Sequence, residues 1–338
     1  MNFKGIIKRL WQSINIMSES ETTIDPSVEL QKTILLNDNG HYHGGNISDE
    51  CALLGAILGD IVGSSHELKG TRIKTKDFEL FPSTATFTDD TVMTVAVAKW
   101  LTGLDRIPKN DKGLVEVMQE LGLKYFHVGY GHSFKQWLQE SKPKPYNSFG
   151  NGSAMRVAAA GLFGQSLEEC QNIARITASV SHNHIDGIIG AQAVASAIRL
   201  AKCHYKKECI KRYIESRFKY DLSRTLDEIR PNYGFDPTCS GSVPESIICF
   251  LESENIEDAI RNAVSLGGDA DTMACIAGSI AGAYYGEFSR DFYDKIRTII
   301  PKEFLDILSH FLWANNDIAK TFCEIPNVDR QTVMDQIF

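Results

Sequence analysis

The chain has 338 residues, 43% of them hydrophobic and 23% charged, which are ordinary values for a globular protein with a sizeable core. Its formal net charge of −8 argues against general nucleic-acid binding. The eight cysteines never form a CxxC pair, and a chain of this length does not need a disulfide framework. We therefore expect mostly buried free thiols in a cytoplasmic protein. The longest apolar stretch, 273–285, is too short and too rich in Gly and Ala to span a bilayer.

Residues 1–47 differ in composition from the rest of the chain and predict an N-terminal extension. Six apolar side chains between Phe3 and Ile14 follow helical spacing, with three basic residues on the opposite face. This pattern predicts an amphipathic helix, and the polar stretch at 18–47 predicts a linker. The segment has neither a continuous apolar core nor a small-residue cleavage site, so it does not resemble a secretory signal.

From Ser48 onwards the sequence is dense in helical patterns and has no alternating strand pattern of any length. Ser48, Asp49 and Glu50 predict a helix start before the apolar run "CALLGAILGDIVG". The other predicted helices span 90–103, 112–126, 153–163, 167–178, 186–203, 208–217, 244–251, 256–266, 272–286, 289–298 and 302–312. The prediction is one compact all-α domain over 48–338, an orthogonal helical bundle preceded by the extension.

Two short acidic motifs each stand directly before a helical pattern. The motifs "TDDT" and "GGDADT" supply Thr88, Asp89, Asp90, Asp269, Asp271 and Thr272. A further acid, Glu67, follows the first apolar helix. Taken singly, each has a structural explanation, because Thr and Asp are favoured N-caps and Glu67 suits a solvated loop.

The similarity of the two motifs suggests a second explanation. If the two helix starts face each other, four carboxylates converge, and such like charges repel unless cations neutralise them. A ligand set made only of oxygen atoms favours Mg²⁺, Mn²⁺ or Ca²⁺ over zinc, and four carboxylates suit two ions. Spacing alone does not show that the two starts meet.

Five motifs in this chain, "GDIVGSSHE", "TDDT", "SFGNGSAMR", "SHNHIDG" and "GGDADTMACIAGSIAGAYYG", resemble the ADP-ribosylglycohydrolases, the DraG-like family, in both content and order. The resemblance runs from about residue 50 to 320. It implies an all-helical domain with a dinuclear Mg²⁺ or Mn²⁺ centre in a cleft. It further implies that the metal ligands are Thr88, Asp89, Asp90, Asp269, Asp271 and Thr272, and that the catalytic acids are Glu67, Asp89 and Asp271. Glu67 would position the reacting ribose or water.

The motif "SFGNGSAMR" also predicts a glycine-rich turn at the start of a helix. Free backbone N–H groups at such a turn suit a phosphate oxygen, although Gly-Asn-Gly turns often serve only as helix caps. The resemblance assigns the diphosphate and ribose of ADP-ribose to this turn and to one histidine, namely Ser148, Gly150, Asn151, Gly152 and His182.

Four further residues in or near these motifs also have predicted roles. We expect Asp60 to hold a helix end or to orient a loop, and Arg156 to be an ion-pair partner and not a phosphate ligand. We expect His184 to be structural. Phe149 has two open roles, stacking on adenine or simple packing.

The implied activity is a hydrolase that releases ADP-ribose from a modified protein side chain through an oxocarbenium-like state. The metals would hold the ribose hydroxyls and polarise a water molecule. The sequence "GNGSAMR" looks closer to arginine-directed members, which favours ADP-ribosyl-arginine over ADP-ribosyl-serine as the substrate. We expect a monomer without a nucleic-acid partner.

The alternative hypothesis is that the chain is a binding protein and not primarily an enzyme. In it the chain binds and blocks a partner ADP-ribosyltransferase through residues 1–47, as a toxin-immunity protein with hydrolysis secondary or absent. The apolar face of the extension can pack on its own domain, a membrane or a partner protein. Three basic residues without a lipidation signal make stable membrane anchoring the least favoured option, and the polar linker gives the helix reach towards a partner.

We expect deletion of residues 1–17 to leave hydrolysis of a small ADP-ribosylated substrate within a few-fold of wild type. The same deletion should weaken binding to a cognate ADP-ribosyltransferase, because it removes the apolar face that would pack on the partner. Steady-state kinetics and a pull-down with the transferase measure the two effects. Loss of hydrolysis with a large fall in Tm would show instead that the helix belongs to the core of the enzyme.

Overall fold

Helices make up nearly all the regular structure in the computed structural model, which describes residues 47–68 and 70–322. The α-helices, in chain order, are α1 (Ile47–Ser64), α2 (Asp89–Thr102), α3 (Asp111–Lys124), α4 (His132–Gln139), α5 (Ala158–Phe163), α6 (Leu167–Ser179), α7 (Ile185–Lys202), α8 (Lys207–Phe218), α9 (Leu226–Ile229), α10 (Cys239–Leu251), α11 (Ile256–Val264), α12 (Ala270–Tyr285), α13 (Arg290–Ile299) and α14 (Lys302–Phe322). No strand forms within these ranges, and one isolated bridge joins Gly150 to Thr238. The all-α prediction is therefore confirmed.

The centre of the fold is the antiparallel pair α1 and α12, whose backbones touch. A Cβ atom on Gly59 would lie 2.1 Å from the carbonyl oxygen of Ala274, and one on Gly55 would lie 2.2 Å from that of Gly278. A side chain at either position would overlap a main-chain carbonyl, so glycine is required for this close approach. The contact continues to Gly63, where a Cβ would lie 2.5 Å from the Cα of Asp271. The end of α1 is therefore held against the start of α12.

The other helices surround this pair and complete one core. α12 also packs on α7, α10 and α11, while α2 packs on α1, α3, α5 and α14. Small and β-branched residues dominate the buried faces of α2 and α12, which lets neighbouring helices approach closely. This packing fixes the starts of α2 and α12 on the same side of α1.

Two predicted helix starts were wrong. The helix predicted from 153 begins only at Ala158, because a 3₁₀ turn at Asn151–Ser153 comes first. The helix predicted from 244 begins at Cys239, where Thr238 accepts a hydrogen bond from the Gly241 N–H at 3.0 Å. Pro244 lies inside this helix, and the cap explains why the helix can start before the proline. The short helices α4 and α9 were not predicted, because each shows too few turns to display a helical period.

The cysteine prediction is confirmed for the part of the chain that the structure describes. All seven cysteines there are free, and five are buried, namely Cys51, Cys170, Cys239, Cys249 and Cys275. Across the same ranges no helix has the length and apolar character needed to cross a bilayer. The predicted amphipathic helix and its linker up to residue 46 lie outside the described ranges, so they and the domain boundary stay predictions.

Replacing Gly59 by Ala should destabilise the fold by about 3 kcal/mol, because the new methyl group meets a main-chain carbonyl that cannot move aside. Gly234→Ala is the matched control, since a Cβ there has no atom within 4 Å. Chemical denaturation of both variants gives the two free energies of unfolding. Equal stability of Gly59→Ala and the control would contradict the close backbone contact.

Candidate metal and ligand site

Six carboxylates from three segments converge beside the junction of α1 and α12. They are Asp60 in α1, Glu67 just after it, Asp89 and Asp90 at the start of α2, and Asp269 and Asp271 at the start of α12. Carboxylate oxygens of Asp60, Asp90 and Asp271 lie within 4.8 Å of one another, and so do those of Glu67, Asp269 and Asp271. Asp271 belongs to both groups. The two acidic helix starts therefore do meet, as the dinuclear hypothesis requires.

Asp60 holds the start of α2 in place. Its carboxylate accepts hydrogen bonds from the Thr88 N–H at 2.9 Å, the Thr88 hydroxyl at 2.7 Å and the Thr91 N–H at 3.0 Å. The expectation that Asp60 holds a helix end is thus confirmed. The same carboxylate also stands among the clustered acids, a position that its "GD" motif did not indicate.

Helix capping accounts for only part of the acidic motifs. Thr88 is the N-cap of α2 and accepts a hydrogen bond from the Asp90 N–H at 3.3 Å. Asp269 stands at the N-cap position of α12 but makes no capping bond. Its carboxylate instead accepts from the Asn151 side chain at 2.7 Å. Across the junction the Thr272 hydroxyl donates to Asp90 Oδ2 at 3.1 Å, which ties the two helix starts together.

Without a bound metal ion, the ionised form of the clustered acids is unfavourable. Burial and then the charge of Asp271 raise the pKa of Asp60 and of Glu67 to about 7. The same two causes raise the pKa of Asp89, Asp90 and Asp269 well above the usual range of a carboxyl group. In the described ranges no Lys or Arg side chain lies within 4.0 Å of any of the six. The charge of Arg72 offsets part of that of Glu67, and no ion pair within the described residues neutralises the other five.

The donor set fits a hard divalent cation. All the candidate donors are carboxylate or hydroxyl oxygens, which Mg²⁺, Mn²⁺ and Ca²⁺ prefer. Asp90 Oδ1 is buried and has no hydrogen-bond partner among the described residues, so it is an orphaned acceptor inside the cluster. Asp89 stands outside both groups of three but borders the same cleft.

A cleft of about 320 Å³ adjoins the acids. The predicted site residues that line it are Glu67, Asp89, Asp90, Ser148, Gly150, Asn151, Gly152, His182, Asp269, Asp271 and Thr272. The structure therefore places the acidic motifs, the glycine-rich turn and the histidine around one space. Thr88, which is buried beside Asp60, is not among the lining residues described.

The glycine-rich turn offers fewer free N–H groups than expected. The Gly150 N–H donates to the Ser148 hydroxyl at 3.2 Å, and the Asn151 N–H donates to the Pro237 carbonyl at 2.8 Å. Both groups are therefore already engaged within the chain, which corrects the expectation that they are free for phosphate. Because the Asn151 side chain donates to Asp269, the turn is also tied directly to the acid cluster.

Comparison with known proteins decides the family. The sequence profile of the ADP-ribosylglycohydrolase family matches residues 50–322. This chain belongs to the ADP-ribosylglycohydrolase family. As a member, it is a hydrolase that acts on ADP-ribosylated substrates, and the resemblance inferred from the five motifs is confirmed.

Individual relatives support the same assignment. The chain is 30% identical over 307 residues to the human ADP-ribosylhydrolase ARH3, an alignment that covers 69% of this chain and 84% of that protein. It is 26% identical to the ADP-ribosylarginine hydrolase Tri1 of Pseudomonas putida strain GB-1, with 70% of each chain covered. A solved structure titled ADP-ribosylglycohydrolase-related protein complex matches the fold with a TM-score of 0.61 at 18% identity, covering 80% of this chain and 98% of that one.

Arg156 of this ADP-ribosylglycohydrolase does not form the predicted ion pair. It is buried, and its Nη2 donates to the Thr177 carbonyl at 2.7 Å and to the Ser181 hydroxyl at 2.9 Å. Within the described residues no carboxylate lies within 4.0 Å of it. Thr177 is in the last turn of α6, where exposed carbonyl dipoles stabilise a cation without a carboxylate partner.

The two remaining residues with predicted roles near the site are His184 and Phe149. His184 caps α7, since its Nδ1 accepts from the Asp186 N–H at 3.2 Å, so its structural role is confirmed. Phe149 is half exposed and its ring lies 5.5 Å from that of His184. It is therefore not a core side chain, and stacking on adenine stays a prediction.

Several residues that line the cleft were missed. They are Gly129, Gly131, His132, Ser133, Phe134, Tyr146, Met155, Arg156, Phe235 and Pro237. The first five form "GxGHSF", a glycine-flanked turn at the start of α4, which is the same kind of signal as "SFGNGS". Phe235 and Pro237 reach the cleft through the Gly150–Thr238 bridge, a contact between distant residues that the sequence pattern does not reveal.

Without divalent cations the protein should lose stability as the pH rises. Asp60 and Glu67 have ordinary pKa values of 3.8 and 4.5 and folded values of about 7. Between these limits the folded state holds protons that the unfolded state has released, so each rise in pH lowers the free energy of unfolding until about pH 7. With a chelator present, Tm at pH 8 should be lower than at pH 5, and Mg²⁺ should raise Tm mainly at pH 8.

Asp90→Asn should make this pH dependence shallower, because it removes one of the crowded charges. Asp77→Asn, an exposed acid outside the cluster, is the matched control. Thermal denaturation with chelator and with Mg²⁺ measures all three proteins. A metal-free Tm that rises steadily from pH 5 to 8 would contradict the assigned electrostatics.

Proposed function

We propose that the chain is an ADP-ribosyl-arginine hydrolase with a centre of two Mg²⁺ or Mn²⁺ ions. The observation that carries the proposal is the pair of carboxylate groups that share Asp271 at the edge of the cleft. All members of the two groups except Glu67 are buried, and all except Asp60 line the cleft. Two adjoining oxygen sites with one common carboxylate are the arrangement that a bridged pair of cations uses.

The family resemblance implies that the ions would be held by Thr88, Asp89, Asp90, Asp269, Asp271 and Thr272. Of these, Asp90, Asp269 and Asp271 belong to the two carboxylate groups. Bound cations would supply Lewis acidity and a fixed place for the ribose hydroxyls and the attacking water. Glu67 is half-buried at the mouth of the cluster and borders the cleft, where its carboxylate can accept a hydrogen bond from that water or from a ribose hydroxyl. Asn151 keeps Asp269 oriented through its side-chain hydrogen bond.

Arginine is the acceptor that the available observations favour. The relative Tri1 is named an ADP-ribosylarginine hydrolase, and the motif "GNGSAMR" points in the same direction.

The biological setting we infer is the reversal of modification by an ADP-ribosyltransferase. A direct contact with such a transferase is the second candidate function. It depends on residues 1–47, of which 1–46 lie outside the described ranges, so its support comes from the sequence alone.

We expect Asp89→Ala and Asp271→Ala each to abolish hydrolysis while the fold remains intact, because each change removes a carboxylate from the metal set. Stability without metal should be unchanged or slightly higher, since carboxylate repulsion is relieved. Asp227→Ala, whose side chain is 94% exposed, is the matched control.

The assay follows release of ADP-ribose from arginine-modified and serine-modified peptides, with Mg²⁺ and with chelator. Wild-type turnover should need Mg²⁺ and should be faster on the arginine-linked substrate. Full turnover of both variants at saturating Mg²⁺ would refute the metal assignment. Faster cleavage of the serine-linked peptide would refute the acceptor while leaving the metal centre in place.

A further inference from the structure

Two consecutive polar contacts connect a buried arginine to His182 at the cleft. Arg156 Nη2 lies 2.9 Å from the Ser181 hydroxyl oxygen, and that oxygen lies 2.8 Å from His182 Nδ1. Ser181 is completely buried, and Arg156 and His182 are nearly so. Solvent therefore does not compete for these two hydrogen bonds, and a hydroxyl left without an acceptor at this point would be costly.

The direction of the hydrogen bonds follows from what each group can donate. A guanidinium only donates, so Ser181 Oγ accepts from Arg156. Its own hydroxyl proton then needs an acceptor, and among the described residues the one within reach is His182 Nδ1. If Nδ1 carried a proton instead, the Ser181 hydroxyl would be a buried donor without an acceptor, which costs about 1–3 kcal/mol. The charge of Arg156 also polarises the hydroxyl and strengthens it as a donor.

This assignment leaves the proton of the neutral imidazole on Nε2. Burial, followed by the charge of Arg156, lowers the pKa of His182 well below its usual range, so the ring stays neutral. The ring is held between Tyr146 and Phe134, whose centroids lie 5.5 and 6.2 Å from its own. His182 Nε2 points towards the glycine-rich turn, where a Cβ on Gly152 would lie 3.1 Å from it.

We propose that Arg156 and Ser181 are positioning residues that fix His182 as a neutral imidazole with an Nε2–H donor directed into the cleft. Resting on the proposed function, this donor serves the diphosphate–ribose position that the resemblance already gives to His182. The glycines at 150 and 152 keep the space in front of Nε2 clear for that oxygen.

The proposal separates His182 from two other roles that a histidine at this place can have. An imidazole with a proton on Nε2 cannot ligate a cation through that atom, which excludes His182 from the metal set. Nor can that atom accept a proton from the attacking water, so His182 is not a general base in the reaction. Its contribution is to bind and orient the ligand.

The first experiment reads the tautomer in the wild-type protein without ligand. In ¹⁵N NMR spectra of histidine-labelled protein, the His182 signals are assigned by their loss in His182→Gln. A bare Nδ1 and a protonated Nε2 are expected. Protonated Nδ1 would overturn the proposal whatever the protein binds, so this test does not depend on the proposed function.

The second experiment measures the dissociation constant of free ADP-ribose by calorimetry. Ser181→Ala should weaken binding about tenfold, because the tautomer and the ring position are no longer fixed. Ser179→Ala, whose hydroxyl donates only to the Arg175 carbonyl, is the matched control and should bind like wild type. Tight binding by Ser181→Ala, with the protein shown to be folded by circular dichroism, would overturn the positioning role.

A third comparison keeps the proposal testable if Ser181→Ala does not fold. Glutamine places an N–H donor near the position of Nε2, whereas asparagine places it near that of Nδ1. His182→Gln should therefore retain more ADP-ribose affinity than His182→Asn, with the larger part of any change in KM and not in kcat. Equal losses in the two variants would overturn the donor role. Failure of the wild-type protein to bind ADP-ribose would instead reject the proposed function.

Discussion

The site depends on the backbone contact between α1 and α12. At Gly59 and Gly63 the two helices approach until no side chain fits between them, and this places the end of α1 against Ala270 and Asp271. Because α2 is tied to α1 through the carboxylate of Asp60, its own acidic start is placed by the same contact. Three segments far apart in the chain thereby acquire fixed relative positions. A looser helix pair would leave the carboxylates too far apart to share a cation.

The contact between α1 and α12 lowers the stability of the metal-free fold while it assembles the site. It brings together buried carboxylates that form no ion pair among the described residues, and burial together with their mutual repulsion raises their pKa values. The surrounding apolar core stabilises the fold enough to tolerate this arrangement, and a bound cation would turn the repulsion into ligation. Metal binding to the folded state alone then adds to the stability of the fold.

Sequence reasoning succeeded where the signal was local. Long amphipathic segments gave most of the helices, and the repeated acid–threonine pattern identified both helix starts. The sequence did not predict features that depend on contacts between residues far apart in the chain, or on backbone groups that have no residue-specific pattern. The Gly150–Thr238 bridge brings Phe235 to the cleft, and the carbonyls of α6 replace the carboxylate expected beside Arg156. The cluster position of Asp60 was also not evident, because its motif reads equally well as a helix anchor.

The two walls of the cleft differ in charge, and this difference defines what can occupy it. One wall carries the acids and, with cations bound, suits a sugar that presents several hydroxyls. The other wall carries the His182 donor, which suits anionic or carbonyl-like oxygens and on which Arg156 acts through Ser181. The hydrogen bond from Asn151 to Asp269 holds the walls in register, so that a ligand bound at one is positioned at the other. A ribose linked to a diphosphate meets both requirements, whereas a sugar or a phosphate alone meets one.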